Sequence, residues 1–199
     1  ATDDDEIAAV AREFGADVVM TAADHASGSD RVAEAVQKLG LDASRWVVNL
    51  QGDEPGMPPS CIAQLGKYAG RDGGRVYTLA EALADTQQLH DPAVVKVVAD
   101  RSGHALYFSR APIPWCRDDN SSATAAPAQR HIGIYAYTAG LLQCWRGLAP
   151  SPLEQCERLE QLRLLENGIG ITVETAVAPV PASVDTAADL SRMRGQLQD

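Results

Sequence analysis

The chain has 199 residues, 45% of them apolar and 22% charged, the ordinary balance of a soluble globular protein and enough for one sizeable domain with a true core. Its formal net charge of −10 argues against a protein that works by neutralising nucleic-acid phosphate. It leaves open a nucleotide enzyme whose metal ion brings the phosphates in. No apolar run reaches membrane-spanning length, and the first residues do not read as a signal peptide.

The acidic opening Thr2-Asp3-Asp4-Asp5-Glu6 leads into an amphipathic helix over 7–14, capped by Thr2 or Asp3 and favoured by carboxylates in its first turn. A short strand is expected at 17–20. The small-residue loop 21–29 then opens a helix over 30–39, with Val32, Ala35, Val36 and Leu39 at helical spacing and Ser29 as its cap. Ser27-Gly28-Ser29 can offer amides and hydroxyls to an anion. Arg31, in the first turn, faces the helix dipole unfavourably and points to a task elsewhere, although a plain capped helix with a solvent arginine explains the same residues.

Residues 46–50 read as a buried strand that turns abruptly polar at Gln51-Gly52-Asp53-Glu54-Pro55. Pro55 ends the strand. Asp53 is thereby held at the carboxyl end of a strand, the edge at which open α/β sheets bind ligands. A hard oxygen donor with the Gln51 amide beside it suits Mg²⁺ and a phosphorylated substrate. An acidic surface turn after a strand accounts for the same residues without any ligand.

A helix is expected over 58–69, a strand over 75–80, a short helix over 81–89, and a hairpin from strands at 94–98 and 105–109. Lys96 lies inside the apolar run of that hairpin, so its charge needs a partner or an exposed face. Pro112 and Pro114 impose an extended path after Arg110. Residues 117–128 read as a mobile surface loop. Residues 129–137 form a strand with a central Gly133, followed by a helix over 139–148. Ser151, Pro152 and Glu154 spell a capping box. It opens one helix to residue 167, with Leu153, Cys156, Leu159, Leu162 and Leu165 inward and Glu157, Arg158, Glu160, Gln161 and Arg163 on a solvated face. A strand over 169–177 and a final helix capped by Thr186, with Asp189 completing a second box, end the chain. Asp185 stands just before that helix.

The pattern is α/β with a mixed sheet in one domain over 1–199. Cys61, Cys116, Cys144 and Cys156 show no C-x-x-C spacing and read as reduced cytosolic thiols. On position alone, Asp53 and Asp185 are the two carboxylates that would share a Mg²⁺ with substrate phosphates.

Gln51-Gly52-Asp53-Glu54-Pro55, the run 105–115 (Ala-Leu-Tyr-Phe-Ser-Arg-Ala-Pro-Ile-Pro-Trp), His131-Ile132-Gly133-Ile134-Tyr135, Ser151-Pro152-Leu153-Glu154, Leu159-Glu160-Gln161-Leu162-Arg163 and Val184-Asp185-Thr186 follow, in order, the 3-deoxy-manno-octulosonate cytidylyltransferase (CMP-Kdo synthetase) pattern. The chain resembles that family along essentially its whole length. The resemblance implies a nucleotide-diphospho-sugar transferase fold and a cytoplasmic homodimer. It implies transfer of CMP from CTP to the sugar acid Kdo, with Mg²⁺ as cofactor, in lipopolysaccharide biosynthesis. It implies catalytic roles for Asp53, Asp185 and Gln51, with Asp53 and Asp185 as metal ligands. Ser27, Ser29 and Arg31 would lie by the nucleotide, where Ser29 and Asp30 replace the family's usual Thr and Glu. Gln51, Arg110, His131, Tyr135, Glu160 and Gln161 would surround the sugar acid. The strand 131–137 is the expected dimer contact. A relative that activates another sugar acid, such as a sialic acid, is the competing expectation, and a non-catalytic homologue or inactive fragment the third.

One departure accompanies the resemblance. The family begins with a strand and an Arg/Lys-rich loop that holds the triphosphate, and Ala1 matches the family only after its second strand. The fold is therefore expected to be N-terminally incomplete, lacking the first βαβ portion, and the chain by itself to be poorly stable and inactive.

Overall fold

The computed structural model describes residues 1–68, 73–117, 128–145, 147–184 and 186–196. The helices are α1 (Asp5–Glu13), α2 (Gly28–Lys38), α3 (Pro59–Tyr68), α4 (Thr86–His90), α5 (Ala139–Trp145), α6 (Pro152–Glu157), α7 (Gln161–Glu166) and α8 (Ala187–Gln196). The strands are β1 (Trp46–Asn49), β2 (Val76–Ala82), β3 (Lys96–Ala99), β4 (Ala105–Ser109), β5 (Gln129–Thr138) and β6 (Thr172–Thr175). They form one mixed sheet in the order β4-β3-β5-β2-β6, with β1 also paired to β5.

β5 is the spine. β2 runs antiparallel along one edge from Val76↔Tyr137 to Ala82↔Gln129. The other edge is shared: β1 pairs with 135–138 and β3 with Gln129 and Arg130. Because β5 alternates, Tyr135 and Tyr137 enter one core with α2, α5 and α7, while Ile132, Ile134 and Ala136 enter a second core with α3. Fully burying a large side chain such as Leu65 or Ile134, both at 0% exposure, contributes roughly 1.5–3 kcal/mol each.

Several sequence expectations are revised. Residues 17–20 form no strand; Met20 makes an isolated parallel bridge to Thr2. Ser27, not Ser29, caps α2, its hydroxyl accepting from the Asp30 amide, and α1 is capped by Asp4. β1 is half-buried rather than buried, because β5 covers only one of its edges and Leu50 is exposed. The helix expected over 81–89 shrinks to α4, since Glu81 and Ala82 continue β2 opposite Arg130 and Gln129. In the strand 131–137, the expected dimer contact, Tyr135, Ala136 and Tyr137 are buried within the chain between β1 and β2. Most of the loop expected over 117–128 lies outside the described residues.

The helix expected over 152–167 is two helices. The capping box forms as its spelling implies, but Arg158 adopts a left-handed φ of 55° and breaks the axis. That conformation costs a non-glycine residue about 1–2 kcal/mol. The break turns α7 inward, so Gln161 and Arg163 are buried while Leu153 and Cys156 face solvent. Arg163 is accommodated by a bidentate pair with Glu154, Nε to Oε2 at 2.8 Å and Nη2 to Oε1 at 2.6 Å. Its guanidinium also lies 5.1 Å from the centre of the Trp145 ring and its Nη1 3.7 Å from an Asp30 oxygen.

Breaking a buried pair from one side strands the other charge. Arg163→Ala is therefore expected to cost about 3–5 kcal/mol in urea unfolding, and the double change Glu154→Gln with Arg163→Met distinctly less. Equal losses in the two variants would show that the ion pair is not what holds α7 in place.

Candidate active site

The site begins as an irregularity in β5. The register against β2 jumps between Thr78↔Tyr135 and Leu79↔Ile132, so Gly133 and Ile134 bulge out of the ladder. Thr78, fully buried, fills the bulge: its Oγ1 lies 2.8 Å from the Ile134 carbonyl and 3.1 Å from that of Ile132. Bulges re-aim side chains in this way. Here His131 is turned inward, its Nε2 lying 2.8 Å from the Tyr135 hydroxyl and 3.2 Å from Thr78 Oγ1. Burial, and then the neighbouring Arg130 charge, push the His131 pKa down to about 3, so the ring is neutral at physiological pH. Burial holds the Tyr135 phenol well above its usual range.

On the other edge of β5 the ladder is interrupted. β1 stops opposite Tyr135 and β3 starts opposite Arg130. The turn after β1 occupies the gap, and a β-carbon on Gly133 would stand 3.6 Å from Glu54 Oε1. The result is a cleft of about 690 Å³ lined by Asp53, Glu54, Arg110, Arg130, His131 and Gly133, among others.

Each wall is tied down. Arg110 donates Nε to the Glu157 carbonyl at 2.9 Å and Nη1 to the Pro92 carbonyl at 3.0 Å. The Glu157 carboxylate accepts from the Arg110 amide and the Ser109 hydroxyl. Arg130 pairs with Glu81 at 2.8 Å and donates to the Val180 carbonyl. The Val184 amide donates to the Asp53 carbonyl at 2.8 Å, which joins the turn after β1 to the segment entering α8. A β-carbon on Gly56 would lie 2.9 Å from Met193 Cε, so α8 rests directly on that same turn. Asp185 lies outside the described residues. Its chain neighbour Val184 is held against Asp53 by that bond. Among the described residues no three His, Cys, Asp or Glu side chains cluster as a metal site.

The remaining expected residues gather beside this cleft, around the start of α2. Glu160 accepts from the Gly28 and Ser29 amides at 3.3 Å each, and a β-carbon on Gly28 would meet Gln51 Oε1 at 3.1 Å. Ser29 is buried and hydrogen-bonds Tyr137. Gln161 is buried with its Nε2 lacking a hydrogen-bond partner. Stacked Tyr135 and Tyr137, centres 5.4 Å apart, and His131, 5.4 Å from Tyr135, run between the two groups. Arg31 is not brought to either. It pairs with Asp3 at 2.7 Å and donates to Thr21 Oγ1 at 2.7 Å, securing the Thr2–Met20 bridge.

Sequence reasoning missed Glu157, Glu54, Thr78 and Tyr137. The expectation of one continuous helix puts Glu157 on a solvated face; the signal for its role is Arg110 itself, a cation that needs fixing. Thr78 had no signal, since nothing local marks where β5 bulges.

The sequence pattern of the cytidylyltransferase family matches residues 1–173. The 3-deoxy-manno-octulosonate cytidylyltransferase of Cellvibrio japonicus is 50% identical over all of this chain and 80% of its own length. The chain belongs to the 3-deoxy-manno-octulosonate cytidylyltransferase family. The family member from Pasteurella multocida is 44% identical over the whole chain and 81% of its own. Among solved structures, a CMP:2-keto-3-deoxy-manno-octonic acid synthetase complexed with CTP superimposes with a TM-score of 0.87 at 37% identity, over 98% of this chain and 78% of that one. A 4-diphosphocytidyl-2C-methyl-D-erythritol synthase from Anaerococcus prevotii, at 12% identity and a TM-score of 0.60 over 99% of this chain and 78% of that one, shares the fold. The mixed α/β sheet is thus of the nucleotide-diphospho-sugar transferase type, and membership of this family makes the chain a nucleotidyltransferase.

The neutral state of His131 has a measurable consequence. The unfolded imidazole takes up a proton near pH 6.5, whereas the folded one does so only near 3. The stability present above pH 6.5 is therefore lost as pH falls through this window, with a slope approaching about 1.4 kcal/mol per pH unit from this group. Denaturation at pH 7 and pH 5 should show the wild type losing more stability than His131→Gln. Equal losses would mean that His131 is charged in the fold.

Proposed function

We propose that this protein transfers CMP from CTP to Kdo, releasing pyrophosphate, as a cytoplasmic homodimer serving lipopolysaccharide biosynthesis. The observation that carries the reading is the convergence of Asp53, Arg110 and His131 on one cleft from three segments remote in sequence. In the reaction the anomeric hydroxyl of Kdo bonds to the α-phosphorus as the bond to the pyrophosphate oxygen breaks, and the hydroxyl proton is released. Catalysis of this kind rests on positioning and on stabilising charge.

Arg110 supplies the planar cation suited to the Kdo carboxylate. Its Nε and Nη1 are committed to carbonyls, which leaves the Nη2 edge to meet the acid. Neutral His131, with Tyr135 beside it, recognises sugar hydroxyls without competing for the carboxylate. Gln51, Glu160 and Gln161 complete the sugar side, and the unpartnered Gln161 Nε2 is a buried donor that a hydroxyl would satisfy. Ser27 and Ser29 place the nucleotide at the start of α2. Arg31, engaged with Asp3, acts on that loop indirectly.

The oxygen donors of Asp53 and Asp185 fit Mg²⁺, and the Val184–Asp53 bond keeps their segments adjacent. When bound there, the ion supplies charge neutralisation at the phosphates. Light scattering on the purified protein tests the homodimer.

With CTP and Mg²⁺, a panel of Kdo and sialic acid should yield a CMP-sugar only with Kdo; turnover with sialic acid instead would replace the substrate assignment. Calorimetry should show CTP binding with Mg²⁺ weakened in Asp53→Asn. Unchanged affinity would remove Asp53 from the metal role.

A further inference from the structure

Lys96 is the least expected residue in the sheet. It opens β3 in an apolar run and is 0% exposed, yet it appears in none of the ion pairs among the described residues. Its ammonium donates instead to three backbone carbonyls: Asp91 at 2.8 Å, Val94 at 2.7 Å and Arg110 at 2.5 Å. An ammonium has three N–H groups, so all are used and the charge itself is left without a contacting carboxylate. Burial pushes its pKa down, while the more distant Asp91 and Glu157 charges push it back up. A buried cation of this kind is costly where a methionine would serve the core better.

The three carbonyls explain its presence. Asp91, Val94 and Arg110 all line the cleft. Lys96 therefore draws the 91–94 turn and the end of β4 together from behind the wall. The Arg110 side chain closes the same loop from the front, through Nη1 to Pro92. Arg110 is thus gripped at its carbonyl by Lys96 and at its guanidinium by Pro92 and Glu157. In a chain of net charge −10, an unpaired ammonium behind this wall also makes the cleft more attractive to an anion.

We propose that Lys96 is a positioning residue for the sugar-acid substrate: it fixes Arg110 and the 91–94 turn as one wall and adds a second positive charge behind it, setting affinity for the substrate carboxylate. The inference deepens the proposed function and rests on its assignment of the cleft to the sugar acid.

Steady-state kinetics on the natural full-length polypeptide test it. Lys96→Met should raise the KM for Kdo roughly tenfold or more and leave the KM for CTP within about twofold. The double variant Lys96→Met with Arg110→Met should lose little beyond Arg110→Met alone, because the lysine acts through the arginine. A merely structural lysine would move both KM values together, or neither, and its loss would add to that of Arg110→Met; either result overturns the inference. Should Lys96→Met not fold, the ¹⁵N ammonium resonance of Lys96 in the unaltered protein decides. It should shift on adding Kdo and not on adding CTP, and no shift with Kdo overturns the proposal. Absence of any CMP-Kdo from the wild type would instead sink the functional reading itself.

Discussion

One strand has to satisfy three partners at once, and the cleft exists because it cannot do so evenly. β5 takes β2 along its whole length on one edge, while the other edge is divided between β1 and β3. The strip between them lacks a strand neighbour, and the same strip is where β5 bulges. An interrupted ladder would leave polar backbone unmatched. Thr78 Oγ1, lying within reach of two carbonyls inside the bulge, and the Val95 carbonyl accepting from the His131 amide, supply the local matches. The break in the sheet and the place where substrate chemistry gathers are the same feature.

Around that break the protein uses buried and half-buried polar and charged groups as fasteners rather than as sources of stability. Glu160 reaches across 132 positions of sequence to the Gly28 amide, which makes the sugar-side loop and the start of α2 one unit. Glu157 holds the Ser109 hydroxyl and the Arg110 amide with one carboxylate. Arg163 joins α7 to α6 through Glu154. Each such group is expensive to desolvate and is offset by near-complete hydrogen bonding. What they contribute is geometry: a rigid frame in which a few side chains keep fixed directions.

Much of this frame was readable from local sequence. Alternation marked β5, the Ser151 and Glu154 spelling marked the start of α6, and the Thr186 and Asp189 spelling marked α8. Asp53 was singled out by the sudden change of polarity after β1, and it does line the cleft. What escaped depended on distant partners. Nothing near Arg158 announces a left-handed residue, so α6 and α7 looked continuous and Arg163 looked solvated. Glu81 has helical neighbours in sequence, yet Arg130 holds it in β2. Arg31 looked available for a ligand because its true partner, Asp3, lies far back in the chain.

The tryptophans give the fold an optical signature. Trp145 is fully enclosed beneath the Arg163 guanidinium, whereas Trp115, just beyond the prolines that follow Arg110, is 78% exposed. Emission from the enclosed indole comes from a dry, cation-capped setting, while the exposed one already reports water. A red shift on denaturation therefore records the opening of the layers over Trp145 and over the half-buried Trp46, which packs against the second core, and is blind to the Trp115 segment. Quenching by a dissolved anion such as iodide acts first on the exposed Trp115 ring.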